Sequence, residues 1–216
     1  MRINMGIAYA LTFAALLSAC STADDPAYFQ TAGVVPPSNV CPVDPRSFGN
    51  AEPVPDITEG NGCGIRNGYR VYDVSNVTLN PAATIRCELA DTFNDWLNNT
   101  VQPHAKSIYG QRVVSLKILS SYSCRPRNNV SGAKLSEHGM ANAIDVGSFT
   151  LADGHEIVVL TDWYGGSSAD QSFLRAVRGE ACGPFHTVLG PGSDAEHKNH
   201  FHLDLQHERS GGPYCH

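Results

Sequence analysis

Apolar residues recur along this chain in short runs, and the period changes from one run to the next. Tyr69 to Val77 reads as a short strand, and Arg112 to Ser120 alternates as another. Between them Ile85, Leu89, Phe93, Trp96 and Leu97 recur at helical spacing. Asn80-Pro81 supplies a start signal, with Asn as N-cap and Pro in the first turn, so an amphipathic helix of about 17 residues is predicted. Ala143 to Val146, Glu156 to Leu160, Thr187 to Leu189 and Phe201 to Leu205 read as further strands. Ser172 to Arg178 reads as a shorter helix, closed by a Gly-Pro turn. Helices and strands mix without regular alternation, and the strands are short and close together. That pattern predicts an α+β fold with a largely antiparallel sheet and flanking helices.

A chain of 216 residues can build one ordinary domain with a sizeable core. Its 20 glycines and 13 prolines favour turns and long connections over a helical bundle. The net charge is −6 and there is no basic run, which excludes electrostatic attraction to nucleic acid or to an anionic membrane surface.

The first residues, MRINMGIAYALTFAALLSAC, have one early positive charge at Arg2 and an apolar run from Gly6 to Leu17. That is a secretory signal, too short for a comfortable membrane span. Leu17-Ser18-Ala19-Cys20 resembles a bacterial lipobox, which makes residues 1–19 a lipoprotein signal peptide and Cys20 the lipidated first residue of the mature chain. Ser21 after that cysteine implies the outer membrane, facing the periplasm of a Gram-negative bacterium. Residues 20–40 show no apolar period and read as a flexible tether. Residues 41–63 form a Pro- and Gly-rich extension, and the compact domain runs over 64–216.

Six further cysteines remain: Cys41, Cys63, Cys87, Cys124, Cys182 and Cys215. An even number in an exported protein reads as disulfides, and no CxxC spacing points to a thiolate zinc site. Six cysteines allow 15 pairings. Pairing neighbours along the chain gives the expected set Cys41–Cys63, Cys87–Cys124 and Cys182–Cys215, the last tying the C-terminal tail to the body.

The candidate chemistry lies in HKNHFHLDL, residues 197–205. On a strand, residues two apart share a face, so His200, His202 and Asp204 project together while Phe201, Leu203 and Leu205 enter the core. Two imidazoles and a carboxylate on one face suit a metal with a reacting or supporting group beside it. Earlier, LSEHGMANAIDVG places His138 and Asp145 seven apart, with small residues between them that let the backbone approach closely. Alone an H-x6-D spacing is weak. Followed by H-x-H on a strand about 60 residues later, it becomes specific.

This S-x-H-x6-D pattern with a later H-x-H resembles the zinc peptidases that share the D-Ala-D-Ala carboxypeptidase, murein endopeptidase and hedgehog fold. The H-x-x-H-x-H form of His197, His200 and His202 is similar to the penicillin-insensitive murein endopeptidase branch. Where the dipeptidase branch has Glu, this chain has Asn199. Over roughly residues 60–216 the chain resembles the bacterial extensin-like C-terminal family, through WLNNTVQPHA, SYSCRPRN, LSEHGMANAIDV, ACGPFHTVLGPGSDAEH, HFHLDL and GGPYC.

The resemblance implies one zinc ion per chain, held by His138, Asp145 and His202, with a fourth position left to water. It implies His200 as the catalytic histidine, acting as base or stabilising the oxyanion, with His197 assisting at the rim or simply exposed on a loop. Asp204 would orient a ligand imidazole or make a surface ion pair. Arg125 matches the arginine placed at the substrate, and Arg127 competes with it. Ser136 would bond substrate or Asp145, or form a turn. Two readings remain: a zinc peptidase cutting D-Ala-containing amides of peptidoglycan peptides, or a non-catalytic wall-binding lipoprotein stabilised by metal and disulfides.

Overall fold

In the computed structural model, which describes residues 41, 43–206 and 212–216, the polypeptide lays most of its strands into one sheet. A 3-10 turn at Pro45–Ser47 leads into the edge strand β1 (Ala51–Pro53). The short strands β2 (Ile57–Thr58) and β3 (Gly64–Ile65) pair with each other in a separate two-stranded sheet. β4 (Gly68–Val74) and β5 (Val77–Arg86) follow, joined by Ser75 and Asn76 at φ 53° and 58°. Two left-handed residues in a row make the hairpin turn whose twist matches that of the strands.

A helical run comes next: α1 (Cys87–Trp96), a π turn at Leu97–Val101 and α2 (Gln102–Tyr109). After β6 (Val113–Ser120), β7 (Ala143–Leu151) and β8 (Glu156–Val158) come α3 (Val159–Gly165) and α4 (Ser168–Ala181). β9 (Thr187–Leu189), β10 (Phe201–Asp204) and β11 (Tyr214–Cys215) complete the sheet. The strand order is β1-β4-β5-β6-β7-β10-β9-β11, with β8 on β7. Only β5–β6 and β9–β11 pair in parallel among the described residues, so the fold is α+β with a largely antiparallel sheet.

Asn80-Pro81 does not begin a helix. Asn80 pairs with Lys117 of β6 and that ladder ends there, where Pro81 brings no N–H. On the other side, the β4–β5 register shifts between Val71 and Asp73. Ile85 is therefore a strand residue, while Leu89, Phe93, Trp96 and Leu97 are buried on the helical run as their spacing predicts. The π turn precedes Pro103, which has no N–H for the carbonyl one turn back. Glu156 to Leu160 stops as a strand at Val158, and α4 is longer than predicted because Ser167 and Asp170 form a capping box before it.

The core brings helices and sheet together around Trp96. Its ring meets Phe149 and Phe185 edge-on, and its indole N–H donates to the Val177 carbonyl at 3.0 Å. One irregularity of β7 decides where the site lies. Phe149 and Leu151 point into the core, and strict alternation would send Asp145 the same way. Gly147, however, is an extra residue between the pairs Lys117–Ser148 and Ile118–Val146. This bulge reverses the alternation, so Ile144 and Val146 pack inward and Asp145 is released to the opposite face. Glycine suits the position, since a Cβ there would lie 2.9 Å from Leu119 Cγ.

Cys182 pairs with Cys215 as expected, but the other two predicted bridges are corrected: Cys41 pairs with Cys87, and Cys63 with Cys124. Segment 41–63 is not closed on itself. Its β1 adds to the edge of β4, and Tyr122 Oη donates to Glu59 Oε1 at 2.7 Å, which brings the β2–β3 hairpin beside Cys124. The predicted signal peptide, Cys20 and the tether lie outside the described residues, among which no helix is long and apolar enough to cross a membrane.

Cys182–Cys215 closes 33 residues and pins β11 along β9. Replacing both cysteines with serine is expected to lower stability by about 3–4 kcal/mol on chain-entropy grounds. Thermal melts should show a midpoint roughly 6–15 °C lower for a chain of this size. An unchanged midpoint would show that the β9–β11 pairing holds without the bridge.

Candidate metal centre

His202 lies in β10 directly opposite Asp145 in β7. The strand buries Phe201 and Leu203 in the core, with Leu205 just beyond it, and leaves His202 and Asp204 on the other face. His138 arrives from a separate 3-10 turn, Glu137–Met140, capped by Ser136, whose Oγ accepts from the His138 N–H at 3.4 Å. Ala141, left-handed at φ 52°, ends the turn and redirects the chain into β7. Ser136 thus serves as the turn residue and also lines the cavity described below.

Three ligand-type side chains converge here, through two ring nitrogens and the two oxygens of Asp145. His138 Nε2 lies 3.2 Å from His202 Nδ1 and 3.2 Å from Asp145 Oδ2, and His202 Nδ1 lies 2.9 Å from Asp145 Oδ1. A tetrahedral ion with bonds of about 2.0–2.1 Å holds its ligand atoms roughly 3.3 Å apart, so the triangle already has the size of a metal site. The opposite ring nitrogens are anchored. His138 Nδ1–H donates to the Ser121 carbonyl at 2.7 Å, and His202 Nε2–H donates to Asp204 Oδ2 at 3.0 Å. With those protons placed, the facing Nε2 and Nδ1 are bare when the rings are neutral, which suits a bound cation, and can carry a proton toward Asp145 when no cation is there.

All three side chains are buried, His138 and Asp145 to under 5% exposure. Burial alone would raise the Asp145 pKa, but hydrogen bonds from His138 and His202 outweigh it and hold the carboxyl well below the usual carboxylate range. Burial likewise opposes a proton on His202, and bonds to Asp145 and Asp204 overcome it and raise its pKa. His200 is different. Burial pushes its imidazole down to about 4 despite the nearby Asp145 carboxylate, so it is neutral at physiological pH. A second grouping, Glu59 with Cys63 and Cys124, offers no thiolate, because both sulfurs are joined in a disulfide.

The triad opens on a cavity of about 220 Å³. Its walls include His197, His200, Arg125, Arg127, Ser136 and Asp204, so the residues singled out from the sequence gather in one place. His200 Nδ1 bonds Asn199 Oδ1 at 2.8 Å, and its Nε2 stands 3.5 Å from Asp145 Oδ1. Its ring stands outside the His138–Asp145–His202 grouping, on the wall of the cavity beside it. Arg125 is half-buried on the wall, while the Arg127 Nε donates to the Leu135 carbonyl at 3.3 Å and is committed to its own loop.

Three carboxylates on the walls, Glu137, Asp194 and Glu196, escaped the sequence reading. Glu137 accepts from Asn142 Nδ2 at 2.6 Å and closes the loop between the two ligands His138 and Asp145. Asp194 accepts from His197 Nδ1–H at 2.6 Å. Its one sequence signal is the D-x-x-H spacing in SDAEH, which any solvated turn can carry.

Comparison with known proteins adds the family. No curated protein and no solved structure matches this chain. The profile of the extensin-like protein C-terminus matches residues 40–216, from just before the first described cysteine through β11, and the chain belongs to the extensin-like C-terminal family.

Proposed function

We propose that this domain is a zinc-dependent peptidase that hydrolyses D-Ala-containing amide bonds in peptidoglycan peptides. The observation that carries this reading is the His138–Asp145–His202 triad on the wall of a cavity that also holds His197, His200 and Arg125. Two nitrogens and one oxygen with tetrahedral spacing suit zinc, and three protein ligands with an open fourth place are the catalytic rather than the structural pattern. The S-x-H-x6-D and H-x-H spacing shared with the D-Ala-D-Ala peptidases supports the same substrate class, and a common fold with them is part of the proposal.

Zinc, when bound, supplies a Lewis acid and a water acidified to a pKa of roughly 7. The chain's own residues do the rest. Asp204 and the Ser121 carbonyl fix the two ligand rings. Arg125 offers a guanidinium to a substrate carboxylate or to the scissile carbonyl, and His197 and His200 flank the reacting group. Lipidation of Cys20 and the tether would hold the domain at the outer membrane within reach of the wall.

The deciding experiment is digestion of purified muropeptides by the metal-loaded chain. Release of monomers from cross-linked dimers, or of D-Ala from pentapeptides, is the expected result. A chain that carries about one zinc and releases neither product is instead the metal-stabilised wall-binding protein.

A further inference from the structure

His197 is held more firmly than its place on a loop requires. Its Nδ1–H donates to Asp194 Oδ1 at 2.6 Å, and the same oxygen accepts the backbone N–H of Glu196 at 2.9 Å and of His197 at 3.1 Å. The carboxylate is thus fixed by the turn that it caps, and the imidazole is fixed by the carboxylate. Burial disfavours the Asp194 charge, but the His197 bond outweighs it and keeps the group ionised. Upstream, Ser193 Oγ accepts from the Gly190 N–H at 2.8 Å and braces the start of the loop. The ring is 8% exposed, lines the cavity, and lies with its centroid 5.3 Å from that of His200 and 5.6 Å from that of His202. With Nδ1–H committed to Asp194, Nε2 is the bare nitrogen. His200 has no such partner on Nδ1, only the neutral amide of Asn199.

We propose that Asp194 is a positioning residue of this site, fixing His197 in one tautomer and orientation so that the bare Nε2 meets the reacting amide. The inference rests on the peptidase reading above and divides its labour. Amide hydrolysis bonds the water oxygen to the carbonyl carbon and breaks the C–N bond, whose electron pair goes to nitrogen. One proton of that water must reach the departing nitrogen, and the other leaves with the new carboxyl group. His197 Nε2 takes the first proton and passes it to the amine, while Asp194 retains the Nδ1–H and balances the imidazolium that forms in between.

Asp194→Asn tests this, because the amide oxygen can still accept the Glu196 and His197 backbone N–H groups and the Nδ1–H on that same atom, so the turn is kept while the charge that balances the imidazolium is lost. The variant should carry as much zinc as the wild type and keep its KM, while kcat per zinc-loaded molecule falls on the order of 10²–10⁴-fold. Asp194→Glu should recover part of the loss. A far-downfield proton resonance from the His197 Nδ1–H should be present in the wild-type chain with and without zinc, shifted upfield in Asp194→Asn and absent from His197→Gln. Undiminished kcat in Asp194→Asn, in a wild type that cleaves, overturns the positioning role alone, as does a wild-type spectrum without that resonance. Wild-type chain that cleaves no muropeptide overturns the peptidase reading and the catalytic half of this inference with it.

Discussion

Replacing His202 by alanine is expected to leave the domain without metal and without peptidase activity, and to destabilise it as well. The ring is one of three ligands, and it also stands between two buried carboxylates, with Nδ1 2.9 Å from Asp145 and Nε2 3.0 Å from Asp204. Removing it abolishes a coordination bond and leaves Asp145 and Asp204, both under 5% exposed, without the imidazole that bridges them. Breaking one side of a buried ion pair typically costs about 3–5 kcal/mol. Asp204→Ala offers a graded comparison, since loss of the group behind a ligand costs about 10–100-fold in metal affinity and leaves the ligand itself in place. Metal analysis after dialysis should therefore find about one zinc in the wild type, less in Asp204→Ala at limiting zinc, and none in His202→Ala. A chelator should lower the melting midpoint of the wild type and leave that of His202→Ala unchanged, because only the first has metal to lose. His202→Gln, which retains a polar side chain between the carboxylates, guards against a variant that fails to fold. Full zinc occupancy in His202→Gln and His202→Ala would overturn the ligand assignment.

How much of this site the sequence revealed depended on whether a local period carried the information. His202 and Asp204 were legible because alternation on a strand is strict over the four residues of β10, with Phe201 and Leu203 marking the inward face. Asp145 was legible only as one end of an H-x6-D spacing. Its direction was not, since the bulge at Gly147 breaks the alternation that Phe149 and Leu151 would otherwise impose. Asn80-Pro81 has no single meaning in isolation. It can start a helix or sit where a strand's ladder ends, and tertiary pairing with Lys117 selected the second. The bridges Cys41–Cys87 and Cys63–Cys124 span 46 and 61 residues, and nothing local to either cysteine names its partner. Asp194 escaped for the opposite reason. Its partner is three residues away, and so short a motif is too common to stand out before its surroundings are known.

His200→Ala should keep the metal and lose the chemistry, and this contrast with His202→Ala separates the two readings of the domain. The His200 ring lies outside the set of mutually close ligand atoms, and its removal leaves the Ser121–His138 and Asp204–His202 bonds untouched. Zinc content and the chelator-sensitive melting midpoint should therefore match the wild type. Activity should not. Burial keeps the imidazole neutral, with its pKa near 4, and sets it 3.5 Å from Asp145 on the cavity wall beside the triad. With Nδ1–H on the Asn199 amide oxygen, its bare Nε2 can accept a hydrogen bond from the attacking water without carrying a charge that would compete with the metal. Losing a group that orients or deprotonates the nucleophile costs about 10²–10⁴-fold in kcat. His200→Gln, which restores a hydrogen-bonding group of similar reach, should recover part of that loss. The informative failure is loss of zinc in His200→Ala to the degree seen in His202→Ala. The histidine would then be a fourth ligand, the coordination shell would be closed to water, and the metal would stabilise a binding domain in place of activating a nucleophile.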